Sequence, residues 1–263
     1  MDYEAFKKKI GELIGIDLTF YKSQQMDRRI HSLMQMWEIQ NYDDFYQVIK
    51  NNPQRNREFV KKLTINVSEF YRNPDRFLEL QHKILPELLQ RFSNLRIWSA
   101  GCSDGSEPYS VAIIAHELKI ENRVKIVASD VDRQILEKAQ YASYLPNELK
   151  NLPPGLLEKY FDPNGNQFDL KRQIKSMIEF RHHNLLLDPF EAGWHLIICR
   201  NVVIYFTEEA KKGLYQNFYN ALKPGGYLMV GGTEPLLNYR HLGFENSTTA
   251  FYRKPADEGG RLP

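Results

Sequence analysis

The segment from Leu95 to Ser110, LRIWSAGCSDGSEPYS, constrains the fold more than any other part of the chain. An apolar strand runs through a glycine loop directly into a helix, a junction suited to a nucleotide-like ligand. Gly101 and Gly105 supply backbone freedom and remove side chains where a ligand would lie against the main chain. Pro108 falls in the first helical turn, where a missing amide donor costs nothing. About 20 to 25 residues further on, the run Val124–Asp130 reads as a second buried strand ending in a carboxylate, the position from which ribose hydroxyls are held.

The glycine spacing is G-x-x-x-G. It lacks the Lys-Ser/Thr ending of a phosphate-binding P-loop and the third glycine of a dinucleotide fingerprint, so a nucleoside without a phosphate chain is the better ligand. Leu222-Lys223-Pro224-Gly225-Gly226 then ends a helix and opens another buried strand. S-adenosylmethionine fits the three observations together.

The remaining chain reads as α/β. Amphipathic periods predict helices over Tyr3–Ile14, Met26–Met36, Asp43–Lys50 and Arg55–Leu63, a small bundle, and a longer helix over Asp75–Phe92. Sheet strands are expected at Met177–His182, His195–Cys199 and Gly226–Val230, closed by an antiparallel pair around Arg240–Glu245 and Ala250–Lys254. Between Leu145 and Lys175 prolines and glycines break the rhythm, and two short strands around Asp162-Pro163-Asn164-Gly165-Asn166 suit that composition better than a crossover helix. The tail from Pro255 to Pro263 is expected to fray.

Composition excludes several classes. Lys and Arg total 35 against 33 Asp and Glu, a formal net charge of +2, which gives no general attraction to nucleic acid. No run approaches the roughly 20 apolar residues of a membrane span, and the first residues lack a signal-peptide layout, so a cytoplasmic location is expected. Cys102 and Cys199 have neither metal nor disulfide spacing and read as buried thiols. His182, His183 and His195 have no zinc or triad spacing either. Scattered bundle charges, including Arg28 and Arg29, fit either a solvated face or a surface for an acidic partner.

Two further stretches combine polar and aromatic groups. Asn66-Val67-Ser68-Glu69-Phe70-Tyr71-Arg72 joins the bundle to the α/β part, where Ser68 could simply cap a helix. Ile198–Phe206, ICRNVVIYF, leaves a buried strand through Arg200 and Asn201, which either cap the strand or meet a ligand beyond the sheet's carboxyl edge.

With these motifs in family order, the chain resembles the chemotaxis receptor glutamate methyltransferases, the CheR family. The matching residues are Asn66-x-Ser68-x-Phe70-Tyr71-Arg72, Trp98–Ser110, Asp130, Asn184-Leu185 and Cys199-Arg200-Asn201-Val202-x-Ile204-Tyr205-Phe206. The resemblance implies a Rossmann-like class I methyltransferase sheet (residues 73–263) behind an N-terminal helical domain (residues 1–72), with an inserted antiparallel β-subdomain at about residues 145–176. It also implies methylation of glutamate carboxylates on the cytoplasmic helices of chemotaxis receptors. By motif position Asn66, Ser68, Arg72, Ala100, Glu107, Asp130, Asn184, Leu185, Arg200 and Asn201 would contact S-adenosylmethionine or its product S-adenosylhomocysteine. Arg72 and Tyr205 would face the transfer site. No metal, nucleic acid or membrane insertion is implied. Ser106 stands where relatives often carry a second acid, and the Asp162–Gly165 turn looks short for relatives that dock a receptor's C-terminal peptide, so that tethering mode is not assumed. Two alternatives stay open: methylation of another protein carboxylate or of RNA, and a non-enzymatic S-adenosylmethionine sensor.

Overall fold

The computed structural model describes residues 1–64, 66 and 68–256. The chain forms two compact units, Met1–Asn66 with Ile204–Lys212, and Val67–Val203 with Gly213–Pro263. The expected fraying of the tail falls mostly on residues 257–263, outside the described residues.

The first unit holds helices α1 (Tyr3–Ile14), α2 (Ser23–Met36), α3 (Tyr42–Asn51) and α4 (Pro53–Leu63). The starts of α1, α3 and α4 follow from capping chemistry: Asp2 accepts from Ala5 N, Asn41 from Asp44 N, and Asn52 from Gln54 N and Arg55 N just ahead of Pro53. Phe6, Ile10, Ile30, Phe45, Ile49 and Phe59 form the apolar interior. Ile204–Lys212 joins through a short antiparallel bridge, in which Lys22 N donates to Tyr205 O (2.9 Å) and Thr207 N to Phe20 O (2.8 Å), with Tyr21 edge-on to Phe206. Arg28 is exposed but Arg29 is not a free surface charge, because its guanidinium donates to Leu63 O and lies over the Tyr205 ring.

The second unit opens with the helical run Pro74–Arg91, divided into α5 (Pro74–Glu79), a π turn (Leu80–Ile84) and α6 (Leu85–Arg91). Pro86 is the cause: its ring would clash with the His82 carbonyl in a regular helix and it brings no N–H, so the backbone widens locally.

Strands β1 (Leu95–Ala100), β2 (Val124–Asp130), β3 (Ser143–Tyr144), β4 (Phe161–Asn164), β5 (Gln167–Leu170), β6 (Ile178–His182), β7 (Trp194–Cys199), β8 (Leu222–Val230), β9 (Glu245–Asn246) and β10 (Phe251–Arg253) form two sheets. The larger has seven strands in the order β6-β2-β1-β7-β8-β10-β9. Its first five are parallel, and β10 and β9 close it antiparallel. This is the Rossmann-like methyltransferase arrangement expected. Helix α7 (Ser106–Glu117) follows β1 and α8 (Arg133–Tyr141) follows β2. The central strands β1 and β7 are buried almost throughout, as a parallel sheet covered on both faces requires.

Two expectations are corrected. The strand placed at Arg240–Glu245 is a series of turns with pairing only at Glu245–Asn246, because Gly243 adopts φ +87° and the space of its missing Cβ is taken by the Tyr219 ring. The small antiparallel sheet, β3-β5-β4, has a third strand ahead of the expected hairpin. Ala142, left-handed at φ +55°, ends α8 and sends Ser143 and Tyr144 beside Asp169 and Phe168.

Candidate active site

Order reversal in a parallel sheet opens a crevice beyond the strand ends, here between β1 and β7. At the end of β1, past fully buried Ala100, the loop turns at Gly101 (φ +80°) and Gly105 (φ +85°), with Ser103 left-handed between them at φ +51°. The amides of Gly101 and Cys102 both donate to Ser129 O, at 2.8 and 2.9 Å. A Cβ on Gly101 would meet Val202, and one on Gly105 would meet Tyr109 and Ala139. Close protein packing and left-handed backbone, rather than direct approach to a ligand, therefore explain both glycines. Loop residue Asp104 is almost wholly buried, with Oδ1 accepting from Ser106 N and Oγ and with Lys138 beside Oδ2. Ser106 is thus committed to shaping the loop.

Asp130 ends β2 with 8 % of its surface exposed. Its Oδ2 accepts from Ser103 N at 2.9 Å and its Oδ1 from Asp132 N at 3.0 Å, so the loop itself orients the carboxylate. Burial pushes its pKa up to about 6 despite those backbone donors. A carboxylate oxygen carries more than one lone pair, which leaves acceptor capacity beyond the two amides.

Across the crevice, Arg200 leaves β7 with 6 % exposure and ties three segments together. Its guanidinium donates to Arg72 O and Asn73 Oδ1, each at 2.7 Å, and reaches Glu107 Oε2 at 3.4 Å. Glu107, in the first turn of α7, also accepts from Ser99 Oγ at 2.8 Å. Burial raises the Glu107 pKa while Arg200 draws it back down, as in a desolvated ion pair.

The stretch around Arg72 is not helical, and no helix starts at Ser68, which is half-buried. Instead the β-subdomain side fixes it: Phe70 N donates to Glu148 O, and the Phe70 ring meets Tyr144 and Phe161 edge-on. Tyr144 in turn donates through its hydroxyl to Asp104 O at 2.8 Å, linking that segment to the glycine loop. Asn184 and Leu185 are buried after β6, where Asn184 Oδ1 accepts from Leu186 N. Asn66 and Tyr205 belong to the helical unit. There Asn66 Nδ2 donates to Thr64 Oγ1, and the Tyr205 ring lies under Arg29 at 5.0 Å. The other expected site residues all lie in the sheet unit.

Residues 66–251 match the family described as CheR methyltransferase, SAM binding domain, and residues 1–64 match CheR methyltransferase, all-alpha domain. The chain belongs to the CheR methyltransferase family. It is 37 % identical over 254 residues to the chemotaxis protein methyltransferase of Listeria innocua, covering 96 % of this chain and 97 % of that one. Chemotaxis protein methyltransferase 1 of Pseudomonas aeruginosa is 34 % identical over 249 residues, covering 90 % and 91 %. This CheR-family chain therefore carries a methyltransferase domain of the kind that binds S-adenosylmethionine. The residues present fit that cofactor: a buried carboxylate at the end of β2 suits ribose hydroxyls, and Glu107 with Arg200 offers opposite charges to an amino-acid end.

Several site residues escaped the sequence reading. Asn73, just ahead of the helical run, is left-handed at φ +61° and receives Arg200. Asp104 holds the loop, and Glu234, 7 % exposed, accepts from the amides of Asn201 and Gly231. The Gly231-Gly232 pair after β8 was the available hint, since glycines at a strand end mark close backbone approach. Cys102 and Cys199 are buried free thiols whose pKa burial pushes up. Among the described residues no group of three or more His, Cys, Asp or Glu could hold a metal ion, and no helix is long and apolar enough to cross a membrane.

Proposed function

We propose that this chain transfers a methyl group from S-adenosylmethionine to glutamate side-chain carboxylates on the cytoplasmic helices of chemotaxis receptors. The products are glutamate methyl esters and S-adenosylhomocysteine, and the chain acts in the cytoplasm without inserting into a membrane or binding nucleic acid. The observation that carries the reading is the buried Glu107–Arg200–Arg72 linkage at the switch between β1 and β7, with Asp130 buried at the end of the adjoining β2, in a chain of this family.

When bound, the cofactor supplies an activated methyl carbon on a positively charged sulfur that departs as a neutral thioether. Asp130 is assigned to the ribose hydroxyls and Glu107 with Arg200 to the amino-acid end. Ala100, Asn184, Leu185, Asn201, Ser68 and Asn66 complete the contacts by motif position. A glutamate acceptor, with an ordinary pKa of about 4.3, is already ionised near neutrality and needs no general base. The protein's task is orientation and removal of water from the nucleophile, which can supply roughly 7 to 11 kcal/mol at the upper range. Arg72 acts as a positioner, since a tight ion pair to the acceptor would stabilise the ground state more than the charge-dispersed transition state. Tyr205 is assigned to the second carboxylate oxygen, its ring excluding solvent.

The test is transfer of tritium from methyl-labelled S-adenosylmethionine to purified receptor fragments. Label released as methanol by mild alkali supports a carboxyl ester. Alkali-stable label, or none on receptor while another protein is labelled, overturns the assignment.

A further inference from the structure

The CheR-family site contains a buried acid with no assigned part in it. Glu234 follows Gly231-Gly232-Thr233 beyond the end of β8, and its carboxylate turns back onto the adjoining strand end. Oε1 accepts from Gly231 N at 3.0 Å and from Asn201 N, the second residue past β7. The last ladder pair between those strands is Cys199 with Val230, so the carboxylate acts just where strand pairing stops. A Cβ on Gly231 would collide with this same oxygen, which gives the glycine its reason.

Asn201 needs such a hold. Its φ of +60° is a left-handed conformation that asparagine adopts more readily than other non-glycine residues but still at some cost, and a tether on its amide favours it over the competing backbone states. Arg200 precedes it and spans Glu107, Arg72 O and Asn73. A shift of the β7 exit would misdirect both residues at once. Among the described residues Glu234 Oε2 is buried without a hydrogen-bond partner, so the acceptor function resides in Oε1 alone.

We propose that Glu234 is a positioning residue for the cofactor site, holding the left-handed Asn201 backbone and thereby the direction of the Arg200 guanidinium. This rests on the assignment of Arg200 and Asn201 to that site. What matters is a neutral or charged acceptor of the right reach, rather than the negative charge itself.

Two variants separate reach from charge in the full chain. Glu234→Gln keeps an oxygen at the same distance and loses the charge; Glu234→Asp keeps the charge and loses one methylene of reach. The readouts are the S-adenosylhomocysteine Kd by calorimetry, kcat and KM on a receptor fragment, and the unfolding midpoint. Glu234→Gln should bind within about threefold of wild type, while Glu234→Asp should weaken binding about tenfold at a temperature where it remains folded. A merely structural part would move the unfolding midpoint of Glu234→Asp and leave the Kd of the folded protein alone. Wild-type affinity in Glu234→Asp overturns the proposal, and so does equal weakening in Glu234→Gln. Asn201→Ala measured alongside distinguishes the causes. If it weakens binding and Glu234→Asp does not, only the role of Glu234 fails; if it too binds like wild type, the assignment of Asn201 fails and the proposal with it.

Discussion

Asp130→Asn tests the centre of the site, because the substitution keeps the shape and removes the charge. In the wild type one oxygen faces Ser103 N and the other Asp132 N. An amide can serve only one of these donors and must turn its own NH2 toward the other, a local loss of about 1 to 3 kcal/mol. Against this stands the cost of ionising the buried carboxylate, whose pKa rises from 3.8 to about 6. At 1.36 kcal/mol per pKa unit that is about 3 kcal/mol. The sign follows from the native state's tighter grip on the proton. This group's contribution to stability is complete below about pH 4, declines as pH rises, and is lost through about pH 6. Asparagine does not titrate, so the stability difference between the two proteins should move by about 2.4 kcal/mol in favour of Asn between pH 4 and pH 7. Urea unfolding of both proteins in a buffer series measures it. Ligand affinity should run the opposite way. Ribose hydroxyls donate best to an ionised acceptor worth about 1.5 to 3 kcal/mol, so wild-type affinity for S-adenosylhomocysteine should tighten as pH rises through 6. The Asn variant should bind roughly 10 to 100-fold more weakly at neutral pH, with a flat profile over the same range. A folded Asp130→Asn protein with wild-type affinity, or a wild-type Kd that does not change between pH 5 and 7.5, would refute the reasoning.

Three more outcomes are expected. Glu107→Gln leaves Arg200 buried without its charge partner and should lower stability by about 3 kcal/mol, the low end for a broken buried pair because Arg72 O and Asn73 still receive the guanidinium; denaturant curves that overlay wild type would contradict this. Gly101→Ala should cost about 1 to 3 kcal/mol through both its φ of +80° and its collision with Val202 Cγ2, and adding Val202→Ala should recover only the steric share; full recovery in the double variant would show that φ is not limiting. Tyr205→Phe should lower kcat on receptor fragments by on the order of 10 to 1,000-fold with cofactor affinity unchanged; wild-type single-turnover transfer under cofactor saturation would reduce Tyr205 to a wall.

Much of the fold was legible because the governing interactions are local in sequence. Asp2, Asn41 and Asn52 cap their helices through neighbouring amides, so α1, α3 and α4 begin within two residues of the predicted starts. Apolar runs such as Leu196–Cys199 announce central parallel strands. What remained hidden depends on distant partners. Ser143 and Tyr144 become a strand only because Asp169 and Phe168 lie beside them, and two residues carry no period. Arg29 looked like half of a surface pair until Leu63 O and the Tyr205 ring claimed it. The π turn was readable in principle from Pro86, which a helical period alone overlooks.

The site shows the same division at finer grain. Asp130 and the glycines were visible from strand-loop-helix spacing, but other left-handed positions that shape the crevice are not occupied by glycine. Tyr71, Asn73, Ser103 and Asn201 have φ values between +51° and +61°. Tyr71 and Ser103 carry a cost there that their side chains do not relieve, Asn73 and Asn201 a smaller one, and each lies beside a polar tether. Tyr71 N donates to Ser110 Oγ, Asn73 receives Arg200, Ser103 N donates to Asp130, and Asn201 N donates to Glu234. The tethers span from 27 to 127 residues of sequence, so no local pattern could have announced them. Strain of this kind persists only where several partners over-determine the backbone, which favours reading the four residues as one preorganised frame around the strand ends. Such a frame suits the proposed transfer to a carboxylate: if the acceptor arrives already ionised, no catalytic base is required, rate depends on how well geometry is held, and the buried charges would serve that holding.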